Sequence, residues 1–212
     1  MSLIPKMNFG IDPEENGITN CGRRSSSSPT SAFRSTEMEF ENTDRASANP
    51  LLMAVTGEFL RGIKMISAVD DPVYQRSANG TGSIGGHFRH NLDFVTVFLN
   101  GITTRQINYN LRERNLRVEN DRTYAIKRIE FAIRRLESLT DEILGCLVFV
   151  RSEVDTSSWL RSSVLRELEF LHSHTVHHHA LIAEKLAGLG VTITKDFGAA
   201  PSTLEYWKQK AA

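Results

Sequence analysis

From residue 49 onward, apolar side chains recur every three or four positions, the spacing that lines one face of a helix. Leu52, Val55, Phe59, Ile63 and Ile66 follow Asn49-Pro50, where asparagine caps and proline suits the first helical position. Asp70-Asp71-Pro72 ends this helix, and Ser77 to Gly82 reads as a polar, glycine-containing loop. Ser83 caps a second helix reaching Asn100-Gly101, with Phe88, Leu92, Val95, Leu99 and Ile102 as its stripe. A charge-rich connection, Thr103 to Asn120, leads to a third helix whose stripe is Ile126, Ile129, Ile133 and Leu136, capped by Asn120 or Asp121. Cys146 to Val154 alternates and is rich in valine, which predicts a short strand or extended crossover. The last and longest helix spans about Ser162 to Gly190, with Gly188 and Gly190 at its end. Four amphipathic helices with one excursion before the last predict an all-α fold of the four-helix-bundle type. No internal repeat is visible.

Residues 1–48 are different in kind. They hold Arg23-Arg24-Ser25-Ser26-Ser27-Ser28-Pro29 and no sustained apolar period. Such a segment buries too little surface to offset its ordering entropy and is expected to be a disordered extension, leaving 49–212 as the folded domain.

Charge narrows the function classes. Lys plus Arg and Asp plus Glu both number 25, so the net charge is zero and no basic excess is available for nucleic acid. The densest basic stretch, Arg112 to Arg128, is interleaved with Glu113, Glu119 and Asp121 and reads as a solvated face. No apolar run approaches the ~20 residues that span a bilayer. Two cysteines in unlike contexts, Cys21 and Cys146, do not make a disulfide framework, so a cytoplasmic, reducing location is expected.

The unusual chemistry lies in the histidines: five of the seven are His172, His174, His177, His178 and His179. At about 100° per residue, His174 and His178 differ by only about 40° and sit one turn apart. Val164, Leu168, Leu171, Ile182 and Leu189 mark the expected buried face, and His174 and His178 are read as continuing it. Imidazoles in a core are costly unless hydrogen-bonded or coordinated, and an i, i+4 pair can converge on one divalent ion. The bland alternatives are satisfied core histidines, or a surface run resembling a purification tag. A third ligand would come from the second helix, where His87 and His90 share an inward stripe with Phe94 and Phe98. Geometry alone does not choose between them. No nucleophile elbow surrounds Ser163, Ser173 or Cys146, and the glycines of Gly80 to Gly86 lack the strand and lysine of a phosphate loop. Gly85-Gly86 reads as a tight helix entry beneath a packed neighbour.

Several stretches together resemble a bacterial branch of the DinB-like superfamily. They are Ser83 to Phe94, Ile107 to Arg114, Arg166 to Phe170, Ser173 to His178 and Asp196 to Leu204, in that order. The resemblance covers about Leu51 to Tyr206. It implies a DinB-like four-helix bundle with a three-histidine metal site, one ligand from the second helix and two from an H-x-x-x-H pair. Carried over, the ligands are His90, His174 and His178, which selects His90 over His87. His87 and His177 are then candidates for support around the ligands. This chain departs from the pattern at Asn108 and Asn110, where acidic residues are usual, and at His179, where an aromatic is usual.

The reading that follows is a cytoplasmic protein binding one divalent ion, zinc or nickel first and iron or manganese next. Its expected function is that of a metal-dependent hydrolase or low-molecular-weight thiol transferase. Its expected partner is a small molecule or thiol, with no nucleic acid and no membrane. Tyr109, Arg112 and Arg114 are the candidate substrate contacts. The alternatives are a non-catalytic, metal-stabilised structural or sensory bundle, or a homodimer module whose histidines only pack. Because metal binds neutral imidazole, occupancy is expected to fall as pH approaches the ordinary histidine value of ~6.5.

Overall fold

The structure is a computed structural model that describes residues 49–77 and 82–211. The expectation of a disordered extension over 1–48 lies outside the described residues. Four long helices carry the core: α1 (Pro50–Ala68), α3 (Ile84–Thr104), α5 (Arg122–Glu137) and α7 (Val164–Gly188). Between them lie the short helices α2 (Asp71–Gln75), α4 (Leu116–Asn120) and α6 (Asp141–Leu144), and α8 (Pro201–Ala211) follows. α1 packs on α5 and α7, and α3 packs on the same two.

Local chemistry accounts for the helix starts. Asn49 Oδ1 accepts from the Leu51 backbone N–H at 3.0 Å, with Pro50 in the first turn where its missing N–H costs nothing. Ser83 Oγ accepts from Gly86, Asp121 Oδ1 from Tyr124 and Ser163 Oγ from Arg166. Of the two caps that suited the third long helix, Asp121 is the one used. The apolar rows meet in one core, where Phe59, Phe88, Phe98, Ile129, Leu136 and Leu168 have essentially no exposed surface. Each such burial stabilises the fold by about 1.5–3 kcal/mol before entropy is counted.

The domain is helix-rich but not all-α, which corrects the sequence expectation. The crossover is a three-stranded sheet ordered β1 (Gln106–Ile107), β2 (Leu147–Arg151), β3 (Trp159–Ser163). β1 lies parallel to β2, with Gln106 opposite Phe149; β2 and β3 form an antiparallel hairpin with Leu147 opposite Ser163. A strand of two residues carries no readable alternation. Residues 162 and 163, read as helix, end β3 and cap α7 instead. α8 has no buried residue and therefore no apolar stripe to read.

Two close approaches set α3 in place. A methyl group on Gly85 would collide with the Glu119 carbonyl oxygen and come within 2.7 Å of the Tyr74 ring, so only glycine lets α3 begin beneath α2 and α4. At the other end, a methyl on Gly101 would lie 2.6 Å from the Gln106 carbonyl oxygen. There the chain reverses through Arg105, which is left-handed at φ 58°, and runs back along the helix as β1.

Candidate metal centre

α3 and α7 face each other, and their facing sides carry the histidines. α7 is anchored at its start by Glu167. That buried carboxylate accepts from the Tyr109 hydroxyl at 3.0 Å and the Ser162 hydroxyl at 2.6 Å, tying the helix to β3 and to the segment after β1. With both helices fixed, His90 Nε2 lies 3.2 Å from His174 Nε2, and the His90 and His178 ring centres are 4.7 Å apart. One ring nitrogen from each of His90, His174 and His178 falls within 4.8 Å of the others. Phe94 walls the cluster, 4.9 Å from His90 and 4.4 Å from His174, and Phe170 stacks on His174.

His87 is also in contact. Its Nδ1 lies 2.9 Å from His178 Nδ1, a distance that requires one of the two to carry a proton. If His178 donates, its Nε2 is left as a bare lone pair, and His87 holds its own proton on Nε2. That His87 Nε2 is buried with no hydrogen-bond partner among the described residues. His177, the neighbour on α7, is exposed and meets His178 edge-on at 5.3 Å.

The environment keeps these rings neutral. Burial, assisted by the His174, His90 and His87 charges, lowers His178 to about 3. Burial lowers His174 to about 4, with smaller contributions from His90, His177 and Arg112. His87 also falls to about 4, by burial and then by the Lys185 charge. His90 is lowered by burial, then by Arg112 and Arg89. All four are unprotonated at neutral pH, the form in which imidazole is a ligand.

The position of the pair on α7 differs from the sequence reading. The buried row runs Leu168, Leu171, Thr175, His179, Ile182 and Leu186, and Leu189 is only half-buried. His174 and His178 flank that row, half-buried, on the side turned to α3. Two other histidines of α7 are buried, His172 and, fully, His179, whose Nδ1 lies 3.1 Å from Glu58 Oε2 and whose ring stacks on Phe197 at 4.6 Å. Glu58 escaped the sequence reading, although a carboxylate one position from Phe59 in the apolar row of α1 calls for a buried partner.

Of the candidate substrate contacts, Tyr109 is the most enclosed. It is 4 % exposed, donates its hydroxyl to Glu167 and packs its ring on Phe94 and Phe170. Arg112 lies over Phe94 and pairs with Glu153. Arg114 is exposed, in a left-handed backbone conformation at φ 55°.

No family model matches the chain. The chain is similar to a curated protein of Rhizopus delemar named FK506-binding protein 5, at 33% identity over 108 residues. That stretch is 49% of this chain and 28% of the relative, so the chain spans well under a third of the relative's length. Neither comparison assigns a role to the histidines.

Proposed function

We propose that His90, His174 and His178 hold one divalent metal ion, zinc or nickel before iron or manganese, in a DinB-like four-helix bundle. In this reading the loaded protein acts on a small molecule, as a hydrolase or a low-molecular-weight thiol transferase. The observation that carries it is the convergence of three neutral imidazole nitrogens from two helices within 4.8 Å. The donor set suits the group: ligand nitrogens 2.0–2.1 Å from a tetrahedral ion lie about 3.3 Å apart, against 3.2 Å for the His90–His174 pair. The packing of α1 and α3 each against both α5 and α7 supports the bundle type. Among the described residues no helix is long and apolar enough to cross a membrane, and a cytoplasmic location is proposed with it on the cysteine argument.

When bound, the ion supplies Lewis acidity at an open position, which lowers the pKa of water toward neutrality or holds a thiolate. The chain's own residues do the positioning. The Nδ1–Nδ1 hydrogen bond between His87 and His178 restrains the His178 ring, and with the proton on His178 it leaves Nε2 as the ligand atom. Phe94 and Phe170 exclude water from one side of His174. On this account His87→Ala weakens metal binding by about 10–100-fold, the usual cost of losing a ligand's hydrogen-bond partner, and His90→Ala weakens it more. Competition against a chromophoric chelator measures both. Equal losses would mean that the site uses four histidines.

The function is tested by loading the protein with zinc or nickel and assaying nitrophenyl esters, and electrophiles paired with glutathione or cysteine. Turnover should scale with metal equivalents and fall to background in His178→Ala. The second reading is a metal clamp without turnover, favoured by ligands that come from two different helices. A loaded protein silent toward both substrate classes would leave that reading in place of the enzyme.

A further inference from the structure

One cation beside the histidines is held in a way that leaves it available. Arg112 follows β1, and its guanidinium carbon lies 4.6 Å from the centre of the Phe94 ring, the same ring that packs on His90 and His174. One aromatic side chain therefore separates a guanidinium from two of the proposed ligands. Arg112 Nη1 donates to Glu153 Oε1 at 3.2 Å. The two partners are unequally fixed: the arginine side chain is 18 % exposed, the glutamate 51 %, on the turn that joins β2 to β3. An ion pair with one half in water contributes little, so a second carboxylate can replace Glu153 at small cost.

Two of the neighbouring charges are already committed. Arg89 spends its guanidinium on Asp93 and Glu119, at 2.9 and 3.1 Å. Glu167, a buried carboxylate, is satisfied by the Tyr109 and Ser162 hydroxyls and presents no open acceptor demand to a ligand. Arg112 thus lies beside the cluster with an exchangeable partner. Its planar fork matches a carboxylate through two parallel N–H···O bonds, and its place over Phe94 restrains the guanidinium.

We propose that Arg112 binds a carboxylate on the small molecule that reaches the histidine centre, and that Glu153 is its exchangeable counter-ion in the free protein. The inference rests on the metal reading and sharpens it. The ligand class is a small anion with a carboxylate at one end and a thiol, or another group that meets the metal, at the other. Arg112 positions that ligand and takes no part in bond making.

The test uses the full chain loaded with cobalt(II), titrated with 3-mercaptopropionate or its neutral amide, and followed by the thiolate-to-cobalt absorption band. The wild type should bind the acid about tenfold more tightly than the amide, the worth of one charge-assisted hydrogen-bonded pair. Arg112→Met should bind the two equally, with cobalt uptake unchanged. Glu153→Gln should bind the acid several-fold more tightly than the wild type and the amide no differently. Arg112→Lys, which keeps charge without the fork, should retain part of the preference and guards against a folding defect in the methionine variant. Equal affinity for acid and amide in the wild type, or a preference that survives Arg112→Met, would overturn the carboxylate assignment and leave the metal reading standing. Failure of the wild type to take up cobalt would overturn both.

Discussion

Zinc or nickel is expected to accompany the protein, purified without a histidine tag, at close to one equivalent per chain, and His174→Ala is expected to retain almost none. The argument is geometric first. His90 and His174 already place their Nε2 atoms 3.2 Å apart, and the His178 hydrogen bond to His87 orients the third ring, so little reorganisation opposes binding. It is electrostatic second, because burial holds His174 and His178 neutral and no proton need leave at pH 7. Structural zinc sites bind with roughly 10–16 kcal/mol over four ligands. One ligand is then worth about 3 kcal/mol, on the order of a hundredfold or more in affinity. His177→Ala serves as the control. His177 is exposed and is not among the three converging rings, so its loss should leave metal content near the wild-type level. Elemental analysis of the three proteins decides the matter. If His177→Ala and His174→Ala lost metal equally, the histidines would be behaving as a surface tag and the metal centre would fall.

The long helices were legible because each combines a cap with a sustained apolar period: Asn49 before α1, Ser83 before α3, Asp121 before α5. The sheet was legible only where valines alternate, in β2. β1 is two residues long and owes its place to the reversal at Arg105 and the close approach at Gly101, which are tertiary facts. The pairing of His174 with His178 follows from helical spacing. Their partner on α3 does not, since His87 and His90 are three residues apart and both reach α7. The resemblance chose His90 as the ligand, and the structure brings His87 into contact with His178 as well. The misplacement of the core row has a simple cause. An apolar arc on a buried helix is about 100° wide or more, and a row drawn through His174 and His178 takes one edge of the arc for its centre. The centre runs through Thr175 and His179, and a histidine there is tolerable because Glu58 on α1 accepts its proton-bearing nitrogen.

Metal and proton should compete for this site at a lower pH than free histidine would suggest, and the competition should need the intact H-x-x-x-H pair. The sign follows from the direction of the shifts. In the metal-free fold His174 titrates at about 4 and His178 at about 3, while in the unfolded chain both titrate near the ordinary value. Between those limits the unfolded chain binds more protons, so the metal-free protein loses stability steadily as pH falls from ~6.5 toward 4. Within the folded protein, however, the imidazoles stay free for metal through that same interval. Added zinc should therefore still raise the melting temperature at pH 5.5, where an exposed histidine pair would be largely protonated, and the effect should fade only toward pH 4. This moves the window expected from an ordinary histidine downward by about two pH units. At a hundredfold excess of metal over its dissociation constant the stabilisation is about 2.7 kcal/mol, which for a domain of this size is roughly 5–10 °C. Chelator at pH 7.5 should lower the wild-type melting temperature by that amount and change His178→Ala by less than about 2 °C, since that variant has already lost a ligand. Differential scanning calorimetry across pH 4 to 7.5, with and without zinc, reads both effects. A zinc effect that vanished by pH 5.5 would mean that the rings are solvated and ordinary. A chelator response identical in wild type and His178→Ala would remove the pair from the metal site and the proposed chemistry with it.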